Sequence, residues 1–386
     1  MKKAISVLIL LLAWSLPGKT LVLPFRTPDG NSLSWQWLGQ GVSYYLSRGL
    51  AANGLPVFSP EKTAFILQEN RIPFPFAMSK ATALHLAARY QAGQLLWGEL
   101  VPEAQNPGRV VIKAFLIKLD NFSQQHLPLL KGRVDDLENV KFELLLCAGR
   151  QLPGNGTAMR PPDLEMSPHQ YETLIKSLLV SDRQRRLELI LPIASLSPDS
   201  TALNYEAARA LYENGDFTEA LVYLKNIGPG PDTTPAVLEA AILAQKDEPA
   251  SALVILQELL NSGRAGGEAL NNLALLKLGS GESDAAGELL DQALSLDFDP
   301  DIAYNRALVY FRSGQNQQAI DLIVEALRFS PGHQEMLELL DLLLKGGLPP
   351  GQGESGPTPL LKLPFQVRWL PEKNGETPLA EEEDQD

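Results

Sequence analysis

The chain has 386 residues, 45% of them hydrophobic and 20% charged, with a net charge of −13. That length and balance suit two or three folded domains, and the single Cys147 excludes an intramolecular disulfide. Charge is uneven: residues 19–150 carry a net +4, residues 151–346 a net −14 and residues 347–386 a net −5. Acidity on that scale disfavours nucleic acid as a partner, because binding a phosphate chain needs clustered Lys and Arg.

Residues 1–18 read as a secretion signal. Lys2 and Lys3 precede an apolar stretch, Ala4 to Trp14, which is short for a membrane span. Cleavage after Ser15 or after Gly18 leaves a small residue at the cut, and an uncleaved anchor or a buried first strand is the alternative. The expected location is the periplasm or cell envelope, with the membrane met only through this segment.

Residues 19–148 form the first expected domain. Thr20 to Phe25 is a short apolar strand that stops at Arg26-Thr27-Pro28-Asp29-Gly30. Trp37, Leu38, Val42, Tyr45, Leu46 and Leu50 recur at helical steps up to Asn53-Gly54. Leu55 to Phe58 is a second short strand, and Ser59-Pro60-Glu61 opens a helix as cap, first-turn proline and first-turn acid. A helix over Ser79–Gln91 places Ala83, Leu84, Ala87 and Ala88 on its apolar side. Gly93–Val101 and Val110–Leu119 are longer strands joined through Asn106-Pro107-Gly108, and Asp135–Cys147 is a closing helix. Alternating strands and helices followed by a hairpin imply an α/β fold with a mixed sheet.

Three stretches resemble the TolB amino-terminal-like family, with its CsgG- and FlgO-related members. They are Leu23-Pro24-Phe25, Trp37-Leu38-Gly39-Gln40-Gly41 and Tyr90-Gln91-Ala92-Gly93-Gln94-Leu95-Leu96-Trp97-Gly98-Glu99. The last departs from the family's usual Leu-Gly-Ala-Asp-Tyr pattern, with Gln94 in place of Asp. The resemblance implies a non-catalytic assembly domain.

Catalytic and metal-binding readings are thin. Gly39-x-Gly41 lacks the third glycine of a dinucleotide loop, so helix capping or close packing is its expected role. His85, His126, His169 and His333 have no ligand spacing. Asp297-x-Asp299-x-Asp301 lacks the glycine and closing glutamate of a calcium loop. Cys147, in an apolar run, reads as a buried structural thiol. No cofactor and no metal are expected.

Gly149 to Pro168 reads as a linker, residues 149–168, rich in Gly and Pro. Beyond it four pairs of alanines stand twelve residues apart: Ala208 and Ala220, Ala240 and Ala252, Ala274 and Ala286, Ala307 and Ala319. A period in the low thirties with two small residues per unit marks stacked helical hairpins, the alanines sitting where two helices cross. Gly215, Gly281 and Gly314 suit the left-handed turn after a first helix. Pro300 and Pro331 are expected to stop second helices, and Pro249 to open one.

These units resemble the tetratricopeptide repeat. The expected solenoid covers residues 169–345, with units near 169–199, 201–232, 233–266, 267–299 and 300–332 and a terminal helix at 333–345. The first is degenerate, running from Tyr171 to Ser197. In such repeats the first helices line a concave groove. The resemblance places Tyr205, Arg209, Tyr212, Val237, Ala241, Asn271, Leu275, Leu278, Tyr304, Leu308, Phe311 and Arg312 there. The groove lacks the lysines that grip a terminal carboxylate, and its aromatic lining suits an extended or helical peptide.

Residues 346–386 form a Pro-, Gly- and Glu-rich tail holding an apolar island, Leu360-Leu361-Lys362-Leu363-Pro364-Phe365-Gln366-Val367-Arg368-Trp369-Leu370. Such islands are unusual in polar tails, and this one is expected to dock on the protein, in the repeat groove or elsewhere, to recruit a partner, or to form a strand packing on the last helices. The sequence reads as a non-catalytic protein–protein scaffold with a protein or peptide partner. The rivals are a ligand-sensing or enzymatic α/β domain with recruiting repeats, and a cytosolic adaptor.

Overall fold

The computed structural model describes residues 18–27, 33–72, 78–103, 106–133, 137–152, 159–162, 164, 166–230, 232–296 and 298–346. The secretion signal up to residue 17, the Asp135-Asp136 helix start, Asp297 and the island at 360–370 lie outside them. Two compact units divide the chain between Ser181 and Asp182.

The first unit is built on a mixed sheet of five strands: β1 (Thr20–Val22), β2 (Gln94–Glu103), β3 (Asn106–Lys118), β4 (Gln124–His126) and β5 (Leu130–Arg133). β1 runs parallel to β2, with Leu21 opposite Leu95, and β2 pairs antiparallel with β3 along almost its whole length. The far edge of β3 is shared: β4 takes Phe115 to Ile117, and β5 takes Arg109 to Ile112. The expected strand at Leu55–Phe58 is reduced to one bridge, Val57 parallel to Thr20, because Pro56 cannot donate to a ladder. β4 and β5 were not legible as strands, being short and, in β4, fully exposed.

Five helices complete this unit: α1 (Leu33–Ala52), α2 (Pro60–Glu69), α3 (Lys80–Arg89), α4 (Glu138–Gly149) and α5 (Pro168–Leu179). Ser59 caps α2 by accepting from the Lys62 amide, and Ser79 caps α3 by accepting from Thr82. α3 buries Ala83, Leu86 and Ala87 but leaves Ala88 exposed, so its apolar face is turned slightly from the expected one. Leu21, Leu23, Ile66, Leu67, Leu86, Leu95, Trp97 and Ile117 form one core between sheet and helices. Gly39 lies against the chain after β1, where a Cβ would stand 2.0 Å from the Phe25 carbonyl oxygen. Its role is close packing. Cys147 is only half-buried, with its thiol pushed up by burial, then by Glu143, against Arg150.

The structure moves the division of the chain from the linker expected at 149–168 to Ser181–Asp182. Leu152 and Met159 are buried, and the Asn53 side chain receives the Arg160 amide at 2.9 Å and donates to its carbonyl at 2.8 Å. These linker residues are thus held on the first unit. α5 belongs there too. It opens with a Ser167–Gln170 capping box, and the Tyr171 hydroxyl donates to the Gly41 carbonyl of α1. The expected repeat at 169–199 therefore does not form a hairpin of its own.

The second unit is all helical: α6 (Arg183–Ser195), α7 (Thr201–Asn214), α8 (Phe217–Lys225), α9 (Thr234–Gln245), α10 (Pro249–Asn261), α11 (Gly267–Gly279), α12 (Ser283–Leu296), α13 (Pro300–Arg312), α14 (Asn316–Ala326) and α15 (Gln334–Leu344). α7–α8, α9–α10, α11–α12 and α13–α14 are four hairpins, with α6 against α7 and α15 against the last. Gly215, Gly281 and Gly314 take φ of +92°, +84° and +74° after the first helices, and Asp247 fills the same role at φ +58°. Pro300 does not stop α12. It opens α13 as first residue, where its missing N–H costs nothing, with Asp299 as cap.

Candidate interaction surface

Helical hairpins approach closely only where side chains are small. Ala208, Ala220, Ala240, Ala252, Ala274, Ala286, Ala307 and Ala319 are all at most 1% exposed. Around them, Ala274, Ala286, Leu290 and Ala293 form one apolar layer with Ile302 and Val309. The spacing in sequence thus becomes a stack, and the stack places α7, α9, α11 and α13 in one series.

The side chains expected to line the groove divide into three groups. Tyr205, Arg209, Val237, Ala241, Asn271, Tyr304, Leu308 and Phe311 are buried, Tyr212, Leu275 and Leu278 are half-buried, and Arg312 is exposed. Phe311 and Leu308 share a cluster with Ala319, Ile323 and Met336, so they hold α13, α14 and α15 together. The structure therefore removes Leu308 and Phe311 from any open lining. The sequence could not separate them from lining residues, because the last hairpin's neighbour, α15, also supplies apolar side chains.

Tyr212 is tilted against Phe217 with centroids 5.4 Å apart, and its phenol is pushed up by burial and by Glu213. Tyr304 lies 5.8 Å from the His333 ring. Burial, then Glu335 and Glu338, push its phenol up to about 12, against Arg312.

Glu206, Glu213, Asn272 and Asn305, polar residues not singled out from the sequence, share these helices. Arg209 pairs with Glu206, Nη2 to Oε2 at 2.7 Å, both buried. Arg186 of α6 pairs with Glu213 of α7, its guanidinium pulled down by burial and supported by Glu213. In α11 and α13, the Asn305 amide donates to Asn271 at 2.8 Å, and the Asn271 amide donates to Asn272 at 3.1 Å. Their recurrence, Asn271 and Asn305 thirty-four residues apart, was a signal available in sequence. Asp299 caps α13, and Asp301 meets His333 Nε2 at 2.8 Å. Among the described residues no group of three His, Cys, Asp or Glu is arranged to hold a metal.

Residues 271–333 match the tetratricopeptide repeat family. The match begins within α11 and ends in the turn before α15. With the four stacked hairpins, it makes the second unit a tetratricopeptide-like array, carried on a chain whose first unit is a mixed α/β fold.

A curated relative, the tetratricopeptide repeat protein 30 homolog of Drosophila melanogaster, is 34% identical over 151 residues, 37% of this chain and 22% of the relative. The homolog of Drosophila pseudoobscura pseudoobscura is 34% identical over 139 residues, 34% of this chain and 20% of its own. The chain thus spans about a fifth of the length of these curated relatives.

Among solved structures, a thermophilic tetratricopeptide protein of Thermus thermophilus is 19% identical with a TM-score of 0.41, covering 46% of this chain and 99% of its own. YrrB, a tetratricopeptide protein with an unusual peptide-binding site, is 18% identical with a TM-score of 0.32, covering 44% and 91%.

Proposed function

We propose that this chain is a non-catalytic scaffold that binds a segment of another protein along the concave side of its repeats. One observation carries the reading. The first helices α7, α11 and α13 set amide, tyrosine and Arg–Glu groups beside half-buried Tyr212, Leu275 and Leu278. Amides recognise peptide backbone, and apolar side chains recognise alternate residues of an extended segment. The α/β unit is read as a TolB-like assembly domain, and the Lys2-Lys3 apolar leader supports export to the cell envelope.

The test is in-cell crosslinking capture with the full chain, compared with Leu275→Asp/Arg312→Glu. Those two positions are half-buried and exposed, whereas truncating Tyr304 or Phe311 would remove core. A defined partner captured by the parent and lost by a variant with unchanged melting supports the reading. Undiminished capture by the folded variant overturns it.

A further inference from the structure

The mixed sheet of the first unit is covered unequally on its two faces. Successive side chains along a strand point to opposite faces. On one face Val110, Ile112, Ala114 and Leu116 of β3 are buried, and Val140 of α4 lies over Gly132 of β5. On the other, Leu21, Leu95, Trp97 and Ile117 share a core with Ile66 and Leu67 of α2 and Leu86 of α3. That cover ends at the row formed by Trp97 and Phe115. From there on Phe115, Glu99, Val101 and Val111 are only half-buried, and Arg109, Lys113, Lys131 and Arg133 are exposed. The pairing sets them on one face: Glu99 opposite Lys113, Val101 opposite Val111, Val111 opposite Lys131 and Arg109 opposite Arg133.

This open end is an apolar strip in a cationic surround. Phe115, Val111 and Val101 make the strip, and Leu129, the residue before β5, is 55% exposed. Arg26, bridged to Glu99, adds an exposed cation. Glu103 is held by Lys131 at 3.0 Å and by Arg109 at 3.6 Å. Lys113 has no ion pair among the described residues. The surface lies within residues 19–150, a stretch of net +4.

We propose that this open end docks an acidic amphipathic helix of a partner protein, at a site separate from the repeats. The dimensions fit. β2 runs ~16 Å from Glu99 to Glu103, and the axes of β2, β3 and β5 span about 10 Å. A helix is about 10 Å wide and rises about 1.5 Å per residue, so about eleven residues cover the strip. Sheets bury their faces under helices, as α2 and α3 do at the other end of this one. Leucine or valine on one side of the docked helix meets Val101, Val111 and Phe115, while its acids meet Arg109, Lys113 and Arg133. Glu99 and Glu103 decide against a phosphate chain. Two carboxylates on this face repel an evenly charged backbone, whereas discrete side chains pass between them.

The test titrates the full chain with a fluorescent, helix-stapled peptide of about twelve residues, leucine on one face and glutamate on the rest. The expected result is saturable binding, weakened roughly tenfold by Lys113→Glu/Lys131→Gln and roughly tenfold by Val111→Asp, with melting unchanged. The same peptide with lysine for glutamate is expected not to bind. Carbodiimide coupling of the bound peptide to the parent, mapped by mass spectrometry, is expected to join its glutamates to Lys113 or Lys131. The coupling needs no variant, so it decides the case even where a substitution unfolds the sheet. Absent binding, binding that the folded variants retain, or links only to other lysines overturns the proposal. Stronger binding of an oligothymidylate or of phosphatidylglycerol vesicles also overturns it, in favour of a nucleic-acid or lipid face. Self-association of the parent that the Lys113 variant loses overturns it in favour of a second copy.

Discussion

The Lys141 ammonium sits 3.8 Å from the centroid of the Tyr171 ring and 4.9 Å from that of Tyr45. Burial pulls the lysine below its ordinary pKa, and Glu138, 2.6 Å away, opposes that shift. Two aromatic faces and one carboxylate stand in for the water the cation lost. Tyr171 also meets Trp37 and Tyr44 edge-on, so this one side chain ties α5 to both α1 and α4. That tie is why the chain divides at Ser181 and not at the Gly-rich segment before it.

Tyr171→Ala is therefore expected to destabilise the first unit by about 3–5 kcal/mol, the usual range for deleting a large buried side chain. Limited proteolysis should gain cuts near residues 180–182. A melting curve and cleavage pattern like the parent's would contradict this placement of α5.

The crossing of α11 and α12 has room for a methyl group only. Ala274→Leu should cost ~1–3 kcal/mol by overpacking against Ala286 and Leu290. Val254, exposed on α10, serves as control; Val254→Ala should change stability by less than ~0.5 kcal/mol. Urea unfolding of the two variants, followed by helical circular dichroism, measures the difference.

Asp247 holds a left-handed backbone, φ +58°, where the other three hairpins place glycine. An L-residue pays about 1–2 kcal/mol for that conformation, and glycine loses part of the advantage to its unfolded-state freedom. Asp247→Gly should raise the stability of the second unit by about 0.5–1 kcal/mol. A lowered thermal midpoint would mean that the aspartate side chain stabilises the turn by more than its backbone costs.

Alkali should weaken both units. Tyr45 is pushed up to about 12 by burial and then Glu138, and Tyr304 to about 12 by burial, Glu335 and Glu338. In the unfolded chain these phenols ionise near 10, so between pH 10 and 12 the unfolded state loses protons first. The stabilisation is complete below pH 10 and is lost as pH rises through 12. Replacing one phenol, as in Tyr304→Phe, should flatten the fall of the urea midpoint between pH 10 and 12. Parallel curves for parent and variant would show that Tyr304 does not carry it.

Much of the local structure was readable because it rests on short-range chemistry. Ser59, Ser79 and Pro249 mark helix starts through groups only a few residues away, and Gly215, Gly281 and Gly314 mark turns by the backbone freedom of glycine. Pro300 was misplaced by one element, since proline is compatible with both the end of one helix and the start of the next. The lining was less readable. Tyr205, Tyr304 and Phe311 have the same helical phase whether a neighbour covers them or not.

The sequence alone determined the alanine pairs and their period, hence hairpins that must stack, because contact between two helices at a fixed spacing is a property of residue size along one chain. Only the tertiary structure decided that α5 leaves the repeats for the α/β unit and that Leu308 and Phe311 are core. Each of these depends on what a distant segment packs against: Lys141 and Gly41 for Tyr171, and α15 for Phe311. No local pattern encodes such a partner, because burial belongs to the pair of surfaces and periodicity to only one of them.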